Sequence, residues 1–149
     1  MTVGEIKVTL KNKLAELDKL HSRVEEFLKA QGSPQKVLFQ LKLALEEVFV
    51  NIVNHGYDDD KEHDIQLTLS YEPPELTLIV EDDGVAFDPV HKENPDLSQP
   101  LSCRAPGGLG VFLVKWCCDL KYRRDHGKNI LTIKKNITHD HDQTSTGDK

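Results

Sequence analysis

The fold of this chain is constrained most by segments in which every second residue is apolar and which follow one another with only a short turn between them. Apolar side chains recur at every second position on both sides of Pro73 and Pro74 within residues 63–82, and residues 121–125 and 129–135 flank a second short turn. A period of two is typical of strands with one buried face, and a short turn joins antiparallel neighbours. A doubly wound parallel sheet needs a crossover between successive strands. The pattern therefore predicts an antiparallel-rich sheet.

Two segments before the first hairpin have the apolar period of a helix instead. In residues 13–31 and again in residues 34–56, apolar side chains fall on one stripe with polar residues opposite. Gly32 would end the first helix, Ser33 would be the N-cap of the second, and Pro34 would be its first helical residue. We therefore predict two consecutive amphipathic helices.

The remaining segments complete the order of elements. Residues 3–10 predict a first strand, residues 84–108 a long loop without periodicity, and Leu109–Asp119 a third helix. The predicted fold is α+β, a two-layer α/β sandwich with a mixed, mostly antiparallel sheet covered on one face by about three helices. Residues 1–137 would form one domain, followed by a polar tail, residues 138–149, that we expect to be disordered.

The composition excludes several classes of function. Nineteen basic and 25 acidic residues give a net charge of −6, so nothing in the overall charge favours binding to nucleic acid. No apolar run approaches the roughly 20 residues of a membrane span, and the N-terminus has no signal-like apolar core. Three cysteines, two of them adjacent, are more typical of buried thiols than of disulfides or a metal site. We expect a cytoplasmic protein.

A polar pair on the second predicted helix is the first candidate for chemistry. Glu47 and Asn51 are one helical turn apart on a flank that borders the apolar stripe. An amide oxygen can bind Mg²⁺, and a carboxylate can orient or deprotonate a hydroxyl that attacks a phosphate. An ordinary amphipathic helix with polar flanks would explain the pair equally well.

A carboxylate on a glycine turn is the second candidate. Asp82 directly follows a predicted buried strand, and Gly84 permits a tight turn and close approach by a flat ring. A buried carboxylate accepts a hydrogen bond from the exocyclic amine of adenine, whereas guanine has a carbonyl at that position. The alternative is a simple acidic turn, because Asp-Gly is a common turn dipeptide.

A glycine-rich segment before the third predicted helix is the third candidate. Gly107, Gly108 and Gly110 could expose backbone N–H groups to phosphate oxygens at a helix N-terminus, and Arg104 could reach the same phosphates. Arg104 could equally be an exposed loop cation. The spacing matches neither the P-loop nor the dinucleotide fingerprint. Taken together, the three candidates indicate adenine nucleotide binding without a P-loop.

Three motifs in this order resemble the histidine kinase-like (GHKL) ATPase superfamily, and within it the bacterial anti-sigma factor serine/threonine kinases. They are Ala44-Leu-Glu-Glu-Val-Phe-Val-Asn51-Ile-Val-Asn-His55-Gly-Tyr57, Asp82-Asp-Gly84-Val-Ala86-Phe-Asp-Pro89 and Gly107-Gly-Leu-Gly-Val-Phe-Leu-Val114. The resemblance extends over about residues 5–136, nearly the whole chain.

The resemblance implies ATP and Mg²⁺ as cofactors and a role for each matched position. Glu47 would be the general base and Asn51 the Mg²⁺ ligand. Asp82 would bind the adenine amine. Further nucleotide contacts would come from Gly84 and Ala86 in the turn after Asp82. The lid, residues 88–106, would contribute Arg104, and the glycine-rich segment after it would contribute Gly107, Gly108, Leu109 and Gly110. Ala86 stands where the family often has a second glycine.

The resemblance also implies an activity and partners. The chain would transfer the γ-phosphoryl group of ATP to a serine of an anti-anti-sigma-like protein, could sequester a sigma factor, and could form a homodimer. Two alternatives stay open, a non-catalytic binding module switched by ATP and a stand-alone histidine kinase-type ATPase domain. No nucleic acid or membrane partner is expected.

Overall fold

The computed structural model describes residues 4–86 and 118–137. A single 3-10 turn, Leu14–Glu16, precedes the first helix. The elements in chain order are β1 (Gly4–Lys11), α1 (Leu17–Ala30), α2 (Gln35–His55), β2 (Asp64–Glu72), β3 (Glu75–Asp82), β4 (Asp119–Asp125) and β5 (Lys128–Asn136).

The five strands form one sheet with the order β1-β2-β3-β5-β4, and each described pairing is antiparallel. The two hairpins predicted from alternation are β2–β3 and β4–β5, and they meet where β3 pairs with β5. The predicted α+β class with a mostly antiparallel sheet is therefore confirmed.

Alternation along the strands gives the sheet two different faces. In β2, Ile65, Leu67 and Leu69 are buried, whereas the intervening Gln66 is exposed. The stripes of α1 and α2 contribute to the same apolar cluster, so the helices cover the inner face of the sheet. The described core consists of these buried positions: Val8, Leu10, Leu20, Val24, Phe27, Leu28, Val37, Leu38, Leu41, Ala44, Leu45, Val48, Phe49, Ile52, Ile65, Leu67, Leu69, Tyr71, Leu76, Leu78, Val80, Leu131, Ile133 and Ile137.

The boundary between the two helices differs from the prediction by one residue. Gln35 is the first residue of α2, and Pro34 precedes it as an extended N-cap residue with ψ 150°. The backbone N–H of Ser33 instead donates to Leu28 O at 3.0 Å and so closes the end of α1. Gly32, with φ 74°, supplies the left-handed residue that this ending requires. The prediction of Ser33 as the N-cap was therefore wrong.

Two further boundaries were also wrong. Asp119 is not helical, because it begins β4 and pairs with Lys134 of β5. Lys128 belongs to β5 and not to the turn, which consists of His126 and Gly127. In both cases pairing between β4 and β5 extends the strands beyond the limits that alternation suggested.

Several predicted segments lie outside the described residues. They are most of the third helix, the lid at residues 88–106, and the polar tail at residues 138–149. The described residues include two helices of the expected three.

Candidate nucleotide-binding site

Glu47 and Asn51 lie together on α2, as their spacing predicted. The side-chain amide of Asn51 donates through Nδ2 to Glu47 Oε2 at 3.3 Å, and both residues are half-buried. This orientation of the amide commits its nitrogen to Glu47 and leaves Oδ1 as an oxygen of the kind that can bind a metal ion. Mg²⁺ commonly takes one or two protein oxygens and completes its shell with phosphate and water, so the pair fits a magnesium site.

The C-terminal end of α2 contacts the turn that follows β3. The backbone N–H of Val85 donates to the carbonyl oxygen of Gly56 at 2.8 Å, one residue beyond the last helical residue, His55. This hydrogen bond connects the helix of the polar pair to the turn after Asp82. Two of the three sequence motifs therefore meet in the structure.

Asp82 is the last residue of β3 and is only 6% exposed. Its Oδ1 accepts two hydrogen bonds, from Gly84 N at 2.9 Å and from Asn129 Nδ2 at 2.9 Å. Among residues 4–86 and 118–137, no hydrogen bond reaches its Oδ2. A buried carboxylate held by one oxygen, with the second left as an acceptor, is suited to bind an amino group.

Asn129 is the residue that holds Asp82 from the neighbouring strand. It is 6% exposed and lies directly opposite Asp82 in the β3–β5 register. Its Nδ2 also donates to Val85 O at 2.8 Å, while its Oδ1 accepts from Tyr122 Oη and from Arg124 Nη1, the latter at 3.0 Å. The donors on Oδ1 fix the orientation of the amide, so its nitrogen faces Asp82.

Arg124 adds a second link to the same turn. Its Nη1 donates to the carbonyl oxygen of Gly84 at 2.8 Å, in addition to the hydrogen bond with Asn129. A guanidinium group is always charged and presents several donors in one plane. It therefore brings a positive charge close to the buried carboxylate of Asp82 and ties β4 to the Asp82 turn.

Gly84 is buried, and its missing side chain is explained by the backbone beside it. A β-carbon at this position would overlap the carbonyl oxygen of Gly56 and would lie 3.0 Å from Asp82 Oδ1. The glycine is therefore required for the close approach between the turn and the end of α2. The sequence prediction of a tight turn is met, whereas approach by a flat ring stays a prediction.

The other predicted site residues contribute less to the described geometry. Ala86 is exposed at the end of the first described segment. The predicted phosphate-side residues lie outside the described residues: Arg104, Gly107, Gly108, Leu109 and Gly110.

Two other features are absent from residues 4–86 and 118–137. No three His, Cys, Asp or Glu side chains cluster there as a metal site, and no helix there is long and apolar enough to cross a membrane.

Sequence reasoning missed Asn129, Tyr122 and Arg124. One signal was available for Asn129, because it shares the inward phase of β5 with Leu131 and Ile133. A polar residue at an inward position of a strand indicates a buried hydrogen-bond partner. Its partner could not be named, because the pairing of β3 with β5 is not readable from the order of the strands.

Comparison with known proteins identifies the family of this chain. The sequence model of the family described as the histidine kinase-like ATPase domain matches residues 10–135. The serine/threonine-protein kinase BtrW of Bordetella bronchiseptica is 34% identical over 99 residues, which cover 66% of this chain and 70% of that protein. The serine-protein kinase RsbW of Oceanobacillus iheyensis is 27% identical over 129 residues, covering 77% and 78% of the two chains.

A solved structure has the same fold. It contains the RsbU and RsbW domains of a protein from Mycobacterium tuberculosis, with a TM-score of 0.64, 17% identity, and coverage of 90% of this chain and 32% of that one. At this identity the likeness concerns the fold alone. Since the family model spans most of the chain, and the sheet and helices have the matching architecture, this protein belongs to the histidine kinase-like ATPase domain family.

Proposed function

We propose that this protein is an ATP-dependent serine/threonine kinase of the anti-sigma factor type. It transfers the γ-phosphoryl group to a serine of an anti-anti-sigma-like protein and sequesters a second partner such as a sigma factor. The observation that carries the proposal is the buried Asp82 carboxylate, whose Oδ1 accepts from two donors and whose Oδ2 accepts from none among the described residues. We assign Oδ2 to the adenine amine. Two kinase relatives and the family membership support it.

The residues of this chain have distinct tasks in the reaction. Asp82 accepts from the exocyclic amine and so selects adenine over guanine. Asn51 offers Oδ1 to Mg²⁺, and the ion, when bound, neutralises negative charge on the phosphates. Asn51 Nδ2 also orients Glu47 through the hydrogen bond between them. These residues therefore place the nucleotide and the base relative to one another.

Glu47 then acts as the general base. Its carboxylate accepts the proton of the substrate serine, whose oxygen forms a bond to the γ-phosphorus as the bond from that phosphorus to the β,γ-bridging oxygen breaks. The products are phosphoserine and ADP. General base catalysis contributes about 10²–10⁴-fold in rate. The glycines at 107, 108 and 110 would bind phosphate oxygens through backbone N–H groups.

Phosphate transfer to a purified anti-anti-sigma-type protein from the same organism tests the proposal. We expect Mg²⁺-dependent transfer to serine, a loss of about 100-fold or more for Glu47→Gln, and no large change for Glu46→Gln. Glu46 is a matched control, because it is the adjacent acid on α2 and pairs with His21 Nε2 at 3.1 Å. Equal rates for Glu47→Gln and wild type would contradict the role of Glu47.

The same assay separates the two alternatives. Phosphoserine survives acid, whereas phosphohistidine is hydrolysed, so acid-labile label would favour a histidine kinase-type activity. ATP binding without transfer to the partner would favour a non-catalytic module that ATP switches. We further propose that the protein acts in the cytoplasm and can form a homodimer, which size-exclusion chromatography with light scattering would test.

A further inference from the structure

The loop between α2 and β2 is attached to Asp83, the neighbour of Asp82. Tyr57 Oη donates to Asp83 Oδ1 at 3.0 Å, and His63 Nδ1 lies 3.3 Å from the same oxygen. The Tyr57 and His63 rings are stacked, with centroids 4.0 Å apart and planes inclined by 13°. Two aromatic side chains of one loop therefore hold the turn that presents Asp82.

His63 lies between two carboxylates from different elements. Its Nε2 is 2.9 Å from Asp59 Oδ1, and its Nδ1 faces Asp83 on the turn after β3. The side chain is 18% exposed, and its backbone is fixed by the N–H of His63 donating to Asn12 Oδ1 at 2.8 Å. Neutral imidazole has one N–H, so it can donate to only one carboxylate at a time. Both ion pairs form together only in the doubly protonated ring.

His63 and several other charged side chains line one cleft with a volume of about 410 Å³. Lys11 of β1 and Lys128 of β5 oppose a positive imidazole, whereas acids of two strands and of the loop before β2 favour it. Those acids are Glu62 before β2, Asp64 of β2, and Glu81 and Asp82 of β3. Tyr57, on the stacked side, is neutral, because burial and its hydrogen bond to Asp83 raise its pKa.

The hydrogen bond with Asp59 is the largest influence on His63. It raises the pKa of His63 above the ordinary value, partial burial acts in the opposite direction, and the negative charges of Asp59 and Asp83 raise the pKa further. The doubly protonated ring therefore persists to higher pH than in an unperturbed histidine.

We propose that His63 is a positioning residue of the nucleotide site, which in its protonated form holds Asp83 and thereby fixes the turn that presents Asp82. This inference rests on the proposed nucleotide function. In this role His63 acts through Asp83 and needs no contact with the nucleotide. Its proton loss would release Asp83 from one of its two partners among the described residues and leave Tyr57 as the other. The turn would then be held less tightly, and the affinity for ATP would fall.

The first experiment measures MgATP binding to the full chain by calorimetry from pH 5.5 to 8.5. The variants are His63→Gln and the control His126→Asn, which removes an exposed imidazole of the β4–β5 turn and suits its positive φ of 51°. We compare each variant with wild type at the same pH, which cancels the titration of ATP itself.

At pH 6 we expect His63→Gln to bind MgATP about three- to tenfold more weakly than wild type, as losing part of a charged hydrogen bond implies. The difference should shrink towards pH 8.5, and the control should match wild type throughout. Asp59→Asn should move the midpoint of this pH dependence downward, because it removes the main cause of the raised pKa. A constant ratio across pH, or no effect of Asp59→Asn on the midpoint, would overturn the inference.

A second experiment needs no nucleotide. Amide hydrogen exchange of Gly84 and Val85 reports the turn directly, because Gly84 N–H donates to Asp82 Oδ1 and Val85 N–H to Gly56 O. At pH 6 we expect both amides to exchange at least about threefold faster in His63→Gln than in wild type, because the substitution removes part of the strength of one hydrogen bond. Unchanged exchange would overturn the inference, whereas wild type that binds no nucleotide would overturn only the proposed function.

Discussion

Asn129 donates its side-chain amide to Asp82 Oδ1 at 2.9 Å, across the register pair that joins β5 to β3. Among the residues that the structure describes, Asp82 and Asn129 are the buried polar or charged ones, and each is 6% exposed. Neither motif analysis nor strand order connects them, yet the carboxylate proposed to bind adenine depends on this contact. A buried charge is tolerated only when donors compensate for the water it has lost.

Removal of the Asn129 amide should therefore destabilise the protein and weaken ATP binding. We expect Asn129→Ala to lower the free energy of unfolding by about 1–3 kcal/mol, because the buried carboxylate loses a donor. Urea denaturation measures the change, and Asn136→Ala, at the exposed far end of β5, is the matched control. Equal effects of the two substitutions would contradict the role of Asn129.

The contact between Gly84 and the end of α2 predicts a strict requirement for glycine. We expect Gly84→Ala to lower the free energy of unfolding by about 1–3 kcal/mol, because the new β-carbon would overlap the Gly56 carbonyl oxygen. Thermal unfolding checks this. As a control, Gly127→Asn should be nearly neutral, since Gly127 has φ 77°, which Asn tolerates, and open space around it. A neutral Gly84→Ala would show that the turn can move away from α2.

The open oxygen of Asp82 predicts base selectivity. Asp82→Asn keeps an oxygen for Gly84 and Asn129 but places an amide donor where Oδ2 was. We expect ATP affinity to fall about 10- to 100-fold, as for a lost hydrogen bond to a charged group. GTP affinity should not fall. Calorimetry with both nucleotides measures this, with Asp60→Asn in the exposed loop as control. Unchanged preference for ATP would remove Asp82 as the adenine contact.

The amide orientation of Asn51 predicts how ATP binding depends on magnesium. In wild type, Mg²⁺ should strengthen ATP binding, and Asn51→Ala should reduce that gain by at least about tenfold, the loss typical of a disturbed metal site. Asn54→Ala, an exposed asparagine on the same helix, should retain the full gain. Titrations at fixed ATP with varied Mg²⁺ separate these outcomes. The same gain in both variants would rule out Asn51 as a ligand.

The raised pKa of His63 predicts a pH dependence of stability with a definite sign. A group whose pKa is higher in the folded than in the unfolded state stabilises fully below the unfolded value, here near 6.5, and this contribution is lost as pH rises through the folded value. The difference in unfolding free energy between wild type and His63→Gln should therefore be largest near pH 6 and shrink by pH 8.5. Urea denaturation at several pH values checks it, and a difference that grows with pH would contradict the assignment.

Much of the fold could be predicted from local pattern. Period-two alternation identified β2, β3 and the β4–β5 hairpin, and the helical stripes identified α1 and α2. Boundaries were less predictable, because Asp119 and Lys128 become strand residues only through pairing between β4 and β5. Ser33 likewise closes α1 instead of capping α2, a choice set by the hydrogen bond from its N–H to Leu28 O.

The candidate site divides in the same way. The sequence by itself determined that Glu47 and Asn51 share one flank of a helix, and that Asp82 ends a buried strand at a glycine turn, because both follow from the local periods of helix and strand. Only the tertiary structure decided that Asn129 lies against Asp82, that Gly84 packs on Gly56, and that His63 joins two carboxylates. Those contacts join residues that are far apart in sequence. Gly56 and Gly84 are 28 positions apart, Asp82 and Asn129 are 47 apart, and His63 and Asp83 are 20 apart. They form because the order β1-β2-β3-β5-β4 places β5 beside β3, and because α2 ends above the turn.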